Sequence, residues 1–126
     1  MIRSAMLYGG SALVIRWGVA HIAIPTKDIV RGFGPMSADN RRILIMEWLM
    51  EGVLLVFLGL LVVSVRLIAP EDEFSPTVVY RASALVLVVM AGISMSTGAR
   101  TSIGPMRLCP AIFVAAAVLF WLPTVI

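Results

Sequence analysis

The feature that most constrains this chain is the run from Arg41-Arg42 through Glu47-Trp48-Leu49-Met50-Glu51-Gly52 to Phe57. Beyond the two arginines it stays apolar for long enough to cross a bilayer, yet it carries two carboxylates. Glu47 and Glu51 are four residues apart, which on a helix means one turn apart on nearly the same face. A carboxylate inside a span faces a protein interior or a water-filled cavity, because lipid cannot solvate it. The organisation of the chain therefore turns on what these two glutamates meet.

Composition supports the membrane reading. The 126 residues are 60% hydrophobic and 13% charged, with a mean hydropathy of +1.02. Soluble domains carry roughly a quarter charged residues. At about 20 residues per span, four spans with short loops use the whole length. The expected fold is all-α: one polytopic membrane domain over 1–126, a four-helix bundle running antiparallel up-down-up-down, with spans at about 4–24, 42–65, 77–97 and 105–125. The net charge of +3 and the pI near 9.8 reflect Lys and Arg at span ends, not a nucleic-acid surface. The single cysteine, Cys109, excludes an intrachain disulfide and a CxxC motif.

Met1-Ile2-Arg3 and the apolar run after it have the form of a signal peptide. No A-x-A cleavage pattern precedes Trp17 and His21, so the segment reads as a retained first span, closed by Pro25. The polar connection that follows contains Gly32-Phe33-Gly34-Pro35, a turn signal. Ser37 is a candidate N-cap, with Asp39 in the first helical turn. The next loop holds Glu71, Asp72 and Glu73 between Pro70 and Pro76, and either Asp72 or Glu73 is expected to neutralise Arg81. Pro105 opens the last span at a tolerated position, and Pro110 could kink it. Tyr8 and Trp121 suit an interfacial aromatic belt, with Pro123 beside them. Lys27, Arg31, Arg41 and Arg42 in loop 25–41, with Arg100 and Arg107 around loop 98–104, place those loops in the cytoplasm and both termini outside. The expected location is the bacterial inner membrane. Gly52 and Gly59, Gly92 and Ser96, and Ala111 and Ala115 offer small surfaces for close helix approach.

Depth along the spans, at about 1.5 Å per residue, suggests a two-rung ladder. Arg16 and Glu51 come level, as do His21 and Glu47 nearer the surface. An unpaired charge there costs roughly 2.5–3.5 kcal/mol on insertion scales, so pairing Arg16 with Glu51 is the cheapest resolution. Arg16 and His21 are about 140° apart around their helix, so His21 could instead face Ser94, Thr97 and Arg100. Asn40 shares the Glu47 face. The candidate ligand-binding set is Arg16, His21, Asn40, Glu47, Glu51, Ser94, Thr97 and Arg100, around a polar cavity open to the cytoplasmic interface. Each member also has a structural alternative: an ion pair that locks the bundle, an interfacial histidine, and hydroxyls bonded back to their own helix. Within the pair of carboxylates, Glu51 is the better candidate for structure and Glu47 for function. No metal is expected, because bundle di-iron sites use Glu-x-x-His on two helices and this chain has one histidine. Gly32-Phe33-Gly34 lacks the strand and third glycine of a dinucleotide loop, and no catalytic group is assigned.

Arg16-Trp17-Gly18-Val19-Ala20-His21 at the end of span one, the polar first loop and Glu47-Trp48-Leu49-Met50-Glu51-Gly52 in span two resemble the DoxX-like small four-span bacterial membrane proteins. The resemblance is one of topology and implies a membrane subunit acting with quinone or sulfur redox partners. Three functions compete: a subunit binding a lipophile (quinone or lipid) in the cytoplasmic half, a small oligomeric proton-coupled transporter, and a structural or assembly protein. Expected partners are the bilayer and a homo-oligomer or another membrane protein, with no nucleic acid.

Overall fold

A computed structural model describes residues 1–23, 30–69 and 74–126. These form four helices: α1 (Ile2–Ala23), α2 (Ala38–Ile68), α3 (Phe74–Ser96) and α4 (Gly104–Trp121), with 3-10 turns at Gly98–Arg100 and Leu122–Thr124 and no strand among the described residues. The expected closure of α1 at Pro25 and the partnering of Arg81 by Asp72 or Glu73 fall outside the described residues.

Local chemistry explains the boundaries. Ser37, in extended backbone, accepts the Asn40 N–H at 3.1 Å and so caps α2. Asp39 in the first turn pairs with Arg42 at 3.3 Å. Before the cap, the chain turns through Gly34, whose φ of +77° is a left-handed conformation open to glycine. Pro105 enters α4 in its first turn, and Pro110 lies buried inside that helix. At 31 residues, α2 is about 46 Å long, so it outlasts a hydrocarbon core of about 30 Å.

Three helices, over Ala38–Ile68, Ser75–Arg100 and Gly104–Thr124, are long and apolar enough to cross a membrane. Only 33%, 28% and 33% of their apolar windows are buried within the chain. The remainder, including Phe57, Leu60, Leu85 and Val88, needs lipid or another apolar surface. α1, at 22 residues, is long enough to span, but Gly9-Gly10-Ser11, Arg16 and His21 dilute its apolar character.

The helices pack as two pairs. α1 lies along α2 and α3 along α4; α1 also packs on α4, while α2 barely touches α3. In the first pair, Ser4 accepts two hydrogen bonds from the Arg66 guanidinium, at 2.8 and 3.2 Å. One heptad along, a Cβ on Gly59 would lie 2.9 Å from the Ser11 carbonyl. One heptad further, a Cβ on Gly18 would lie 2.6 Å from the Gly52 carbonyl. α1 advances by seven residues as α2 retreats by seven, the repeat of an antiparallel coiled-coil seam. Backbones approach closely here because the side chains are absent. Gly52 and Gly59 thus act as expected. Gly92 does not: its missing Cβ would meet nothing within 4 Å. Ser96, Ala111 and Ala115 are exposed, and it is Ala116 and Ala117 that are buried in α4.

At the Ser4 end, the Arg3 guanidinium donates to the Ile126 carbonyl. Arg81 donates to the Thr124 hydroxyl at 3.0 Å and sits over the Trp121 ring at 5.3 Å. Leu7, Val14, Leu55, Val62, Leu87, Phe113 and Phe120 form the aliphatic and aromatic core between the ends.

The seam gives a direct test. Gly18→Ala forces a methyl against a backbone oxygen and should cost about 1–3 kcal/mol, read as a lower Tm in detergent. Gly9→Ala, with nothing within 4 Å, should be neutral or gain up to about 1 kcal/mol from reduced chain entropy. Equal melting of the two variants would contradict the seam.

Candidate functional site

The seam sets the height at which α1 meets α2, and so decides which polar groups face each other. With Gly18 opposite Gly52, His21 lies level with Trp48 and Glu51. Its Nε2 is 3.8 Å from Glu51 Oε1, and its side chain is 2% exposed. The imidazole stacks on Trp48, centroids 4.4 Å apart and planes 23° apart. Trp17, one turn back on α1, meets it edge-on at 5.5 Å.

The ladder drawn from span depth does not form. Arg16 is exposed and makes no contact with Glu51. The inward face of α1 carries Ser11, Val14, Gly18 and His21. Arg16 is two residues from both Val14 and Gly18, about 160° around the helix, so its side chain leaves the bundle. Nor does His21 pair with Glu47, which is exposed. The actual register is displaced from the depth estimate by about three residues, roughly 4.5 Å.

The hydrogen bonding of His21 fixes its tautomer. Nδ1 lies 2.9 Å from the Trp17 carbonyl oxygen. A carbonyl only accepts, so Nδ1 carries a proton and donates it there. Nε2 is buried and has no hydrogen-bond partner among the described residues. The indole N–H groups of Trp17 and Trp48 are in the same position. Buried donors and acceptors without partners are uncommon and call for an explanation.

α4 adds a residue with no sequence signal of its own. Cys109, buried, brings Sγ to the cluster, and one ligand atom each from His21, Glu51 and Cys109 all lie within 4.8 Å of one another. Its thiol donates to the Pro105 carbonyl at 3.5 Å.

Three hollows adjoin this cluster, and Trp48 lines all of them. A cavity of about 240 Å³ between Glu51 and Cys109 is lined by Met90, Ser94, Thr97, Met106 and Phe113 among others. A wider one of about 760 Å³ lies between α1 and α4, against Trp17, His21, Pro105 and Arg107. A groove of about 500 Å³ runs between α2 and α3 through Glu47, Met50, Glu51, Leu54 and Met90. That groove exists because α2 and α3 hardly touch.

The expected site residues thus separate. His21 and Glu51 face each other, and Ser94 and Thr97 line the small cavity beside Glu51. Thr97 also bonds back to the Ile93 carbonyl at 2.6 Å. Glu47 stands on the outer groove. Arg16, Asn40 and Arg100 are exposed and line none of the three hollows; Asn40 sits in the first turn of α2, about 16 Å along the helix from Glu51. Trp17, Trp48 and Cys109 were missed. Trp17 had a readable cue in its i,i+4 spacing to His21, and Trp48 in its place between the two glutamates. Cys109 had none.

The geometry separates the two cationic candidates. Arg16→Gln should shift stability by no more than about 0.5 kcal/mol. His21→Ala should cost about 2 kcal/mol or more, from the void left between two indoles. Thermal melts of both variants in detergent provide the comparison. A larger loss in the Arg16 variant would restore the ladder. Comparison of the chain with protein-family models, with curated proteins and with solved structures gives no match.

Proposed function

We propose that this protein is a four-span subunit of the bacterial inner membrane that binds a lipophilic small molecule, a quinone or a lipid, in the half of the bundle holding His21 and Glu51. The observation that carries this reading is the thin packing between α2 and α3. It leaves an apolar groove open to the side of the bundle, where a lipophile partitioned in the bilayer would enter. At its inner end the groove reaches Glu51 and Trp48, and the indole N–H of Trp48 has no partner among the described residues. An indole N–H donates only, so it suits the carbonyl or ester oxygen of a ligand head group. Glu47, exposed on the same groove, would meet the head group at its mouth.

α1 would be the fourth span. Its Arg16 lies about five residues before His21, close enough to a helix end for the guanidinium to snorkel toward the interface. The basic loops then face the cytoplasm. The DoxX-like resemblance, based on topology, belongs to the same proposal.

The test is extraction of the purified protein followed by mass spectrometry, with thermal-shift titration against a quinone and against phospholipid. A single lipophile class should co-purify and raise the Tm. Met90→Trp, which fills the inner groove, should weaken binding at least tenfold, about 1.4 kcal/mol, while Val88→Trp on the exposed face of α3 should leave it unchanged. Protein that is free of lipophile and silent to both ligand classes would overturn the reading.

A further inference from the structure

We infer that His21, Glu51 and Cys109 form a binding site for a borderline transition-metal dication of the Zn²⁺ class. The three residues come from α1, α2 and α4, so the site exists only in the folded chain. Their ligand atoms lie within 4.8 Å of one another, and the His21–Glu51 separation is 3.8 Å. A tetrahedral centre with bonds of about 2.0–2.3 Å holds its ligand atoms about 3.3–3.7 Å apart, so small side-chain rotations complete the geometry.

The second, independent observation is the state of His21. Its Nδ1–H is committed to the Trp17 carbonyl, the outer hydrogen bond that orients a metal-ligating imidazole. Its Nε2 is buried, has no hydrogen-bond partner among the described residues and faces the Glu51 carboxyl group. Nε2 and Glu51 Oε1, 3.8 Å apart, stand too far apart for a hydrogen bond, and a metal cation between them would bond to both. Stacking on Trp48 holds the ring in that orientation.

Donor chemistry selects the ion. Nitrogen, oxygen and sulfur together suit Zn²⁺, whereas a carboxylate does not suit Cu⁺. On binding, the Cys109 thiol gives up its proton to solvent and its hydrogen bond to Pro105, and sulfur bonds the metal as thiolate. A dication, one thiolate, one carboxylate and a neutral imidazole then sum to zero charge, which minimises the cost of burial in a low-dielectric interior. Three protein ligands leave a fourth position for water, on the side of the cavity lined by Met90, Ser94 and Met106. The inference stands apart from lipophile binding, because its readouts need the metal alone.

The experiment uses the full chain in detergent, stripped with chelator and titrated with Zn²⁺ and with Co²⁺. One Zn²⁺ per chain is expected, with a thiolate-to-Co²⁺ charge-transfer absorption that Zn²⁺ abolishes. Cys109→Ser should lose that absorption, and both it and Glu51→Gln should weaken Zn²⁺ binding at least tenfold, while Asp39→Asn, outside the site, should not. If the variants misfold by circular dichroism, X-ray absorption of the Zn²⁺-loaded native chain decides: a sulfur neighbour at about 2.3 Å is expected. No stoichiometric Zn²⁺, unchanged affinity in Cys109→Ser, or a shell of nitrogen and oxygen only would mean an adventitious ion only and would overturn the site.

Discussion

Two backbones in near contact at Gly18 and Gly52 govern the rest of this molecule. The carbonyl of each glycine occupies space that a Cβ on the other would need. The contact belongs to a heptad series with Ser11–Gly59 and Ser4–Arg66, so α1 cannot slide along α2 without losing all three together. In a bilayer, where burial of apolar side chains against each other gains little over lipid contact, such close approach is the main source of helix association. The seam fixes register, and register fixes chemistry: one turn beyond Gly18, His21 is delivered to Trp48 and Glu51 and not to Glu47.

The same packing leaves the other side of the bundle incomplete. α1 uses one face for α2 and a second for α4, where a Cβ on Gly10 would run into the Phe120 ring at 2.8 Å. α2 and α3 have no comparable seam, and a groove separates them. Polar and apolar requirements are therefore met in different places. Ser4, Arg66, Arg81 and Thr124 satisfy one another at one end. At the other end His21, Glu51 and Cys109 converge from three helices, and His21 Nε2 and the Trp17 and Trp48 indole nitrogens have no hydrogen-bond partner among the described residues. A core arranged only for stability would use apolar side chains there, because a buried donor without a partner costs about 1–3 kcal/mol.

Much of the architecture was legible in the sequence. Hydropathy located the helices to within a few residues, Ser37 capped α2, and Gly34 made its turn. Glu51 and His21 were recognisable as polar groups within spans, and the structure buries His21 and half-buries Glu51. Their pairing was not recognisable. Arg16 has the reach and charge to hold Glu51, and electrostatics alone would choose it over a neutral imidazole. Rotation of α1 decided otherwise, since Val14 and Gly18 face inward and Arg16, midway between them in sequence, must face out. Depth counted from span ends also misjudged the register, because α2 begins at Ala38, outside the apolar stretch, and the glycines set the crossing height.

The sequence by itself determined the four helices and, to within a few residues, where they end; of the four spans expected from it, three are long and apolar enough to cross a membrane. Those properties follow from local periodicity, caps and prolines. Which faces meet, at what height and with what gap between α2 and α3 was decided only in the tertiary structure. Close packing of backbones at small residues depends on the fit of two surfaces, and no single span encodes it. Cys109 is the clearest case. Its own neighbourhood reads as an apolar helix behind Pro105, and it becomes part of a chemical site only because α4 lays it against a histidine 88 positions and a glutamate 58 positions earlier in the chain.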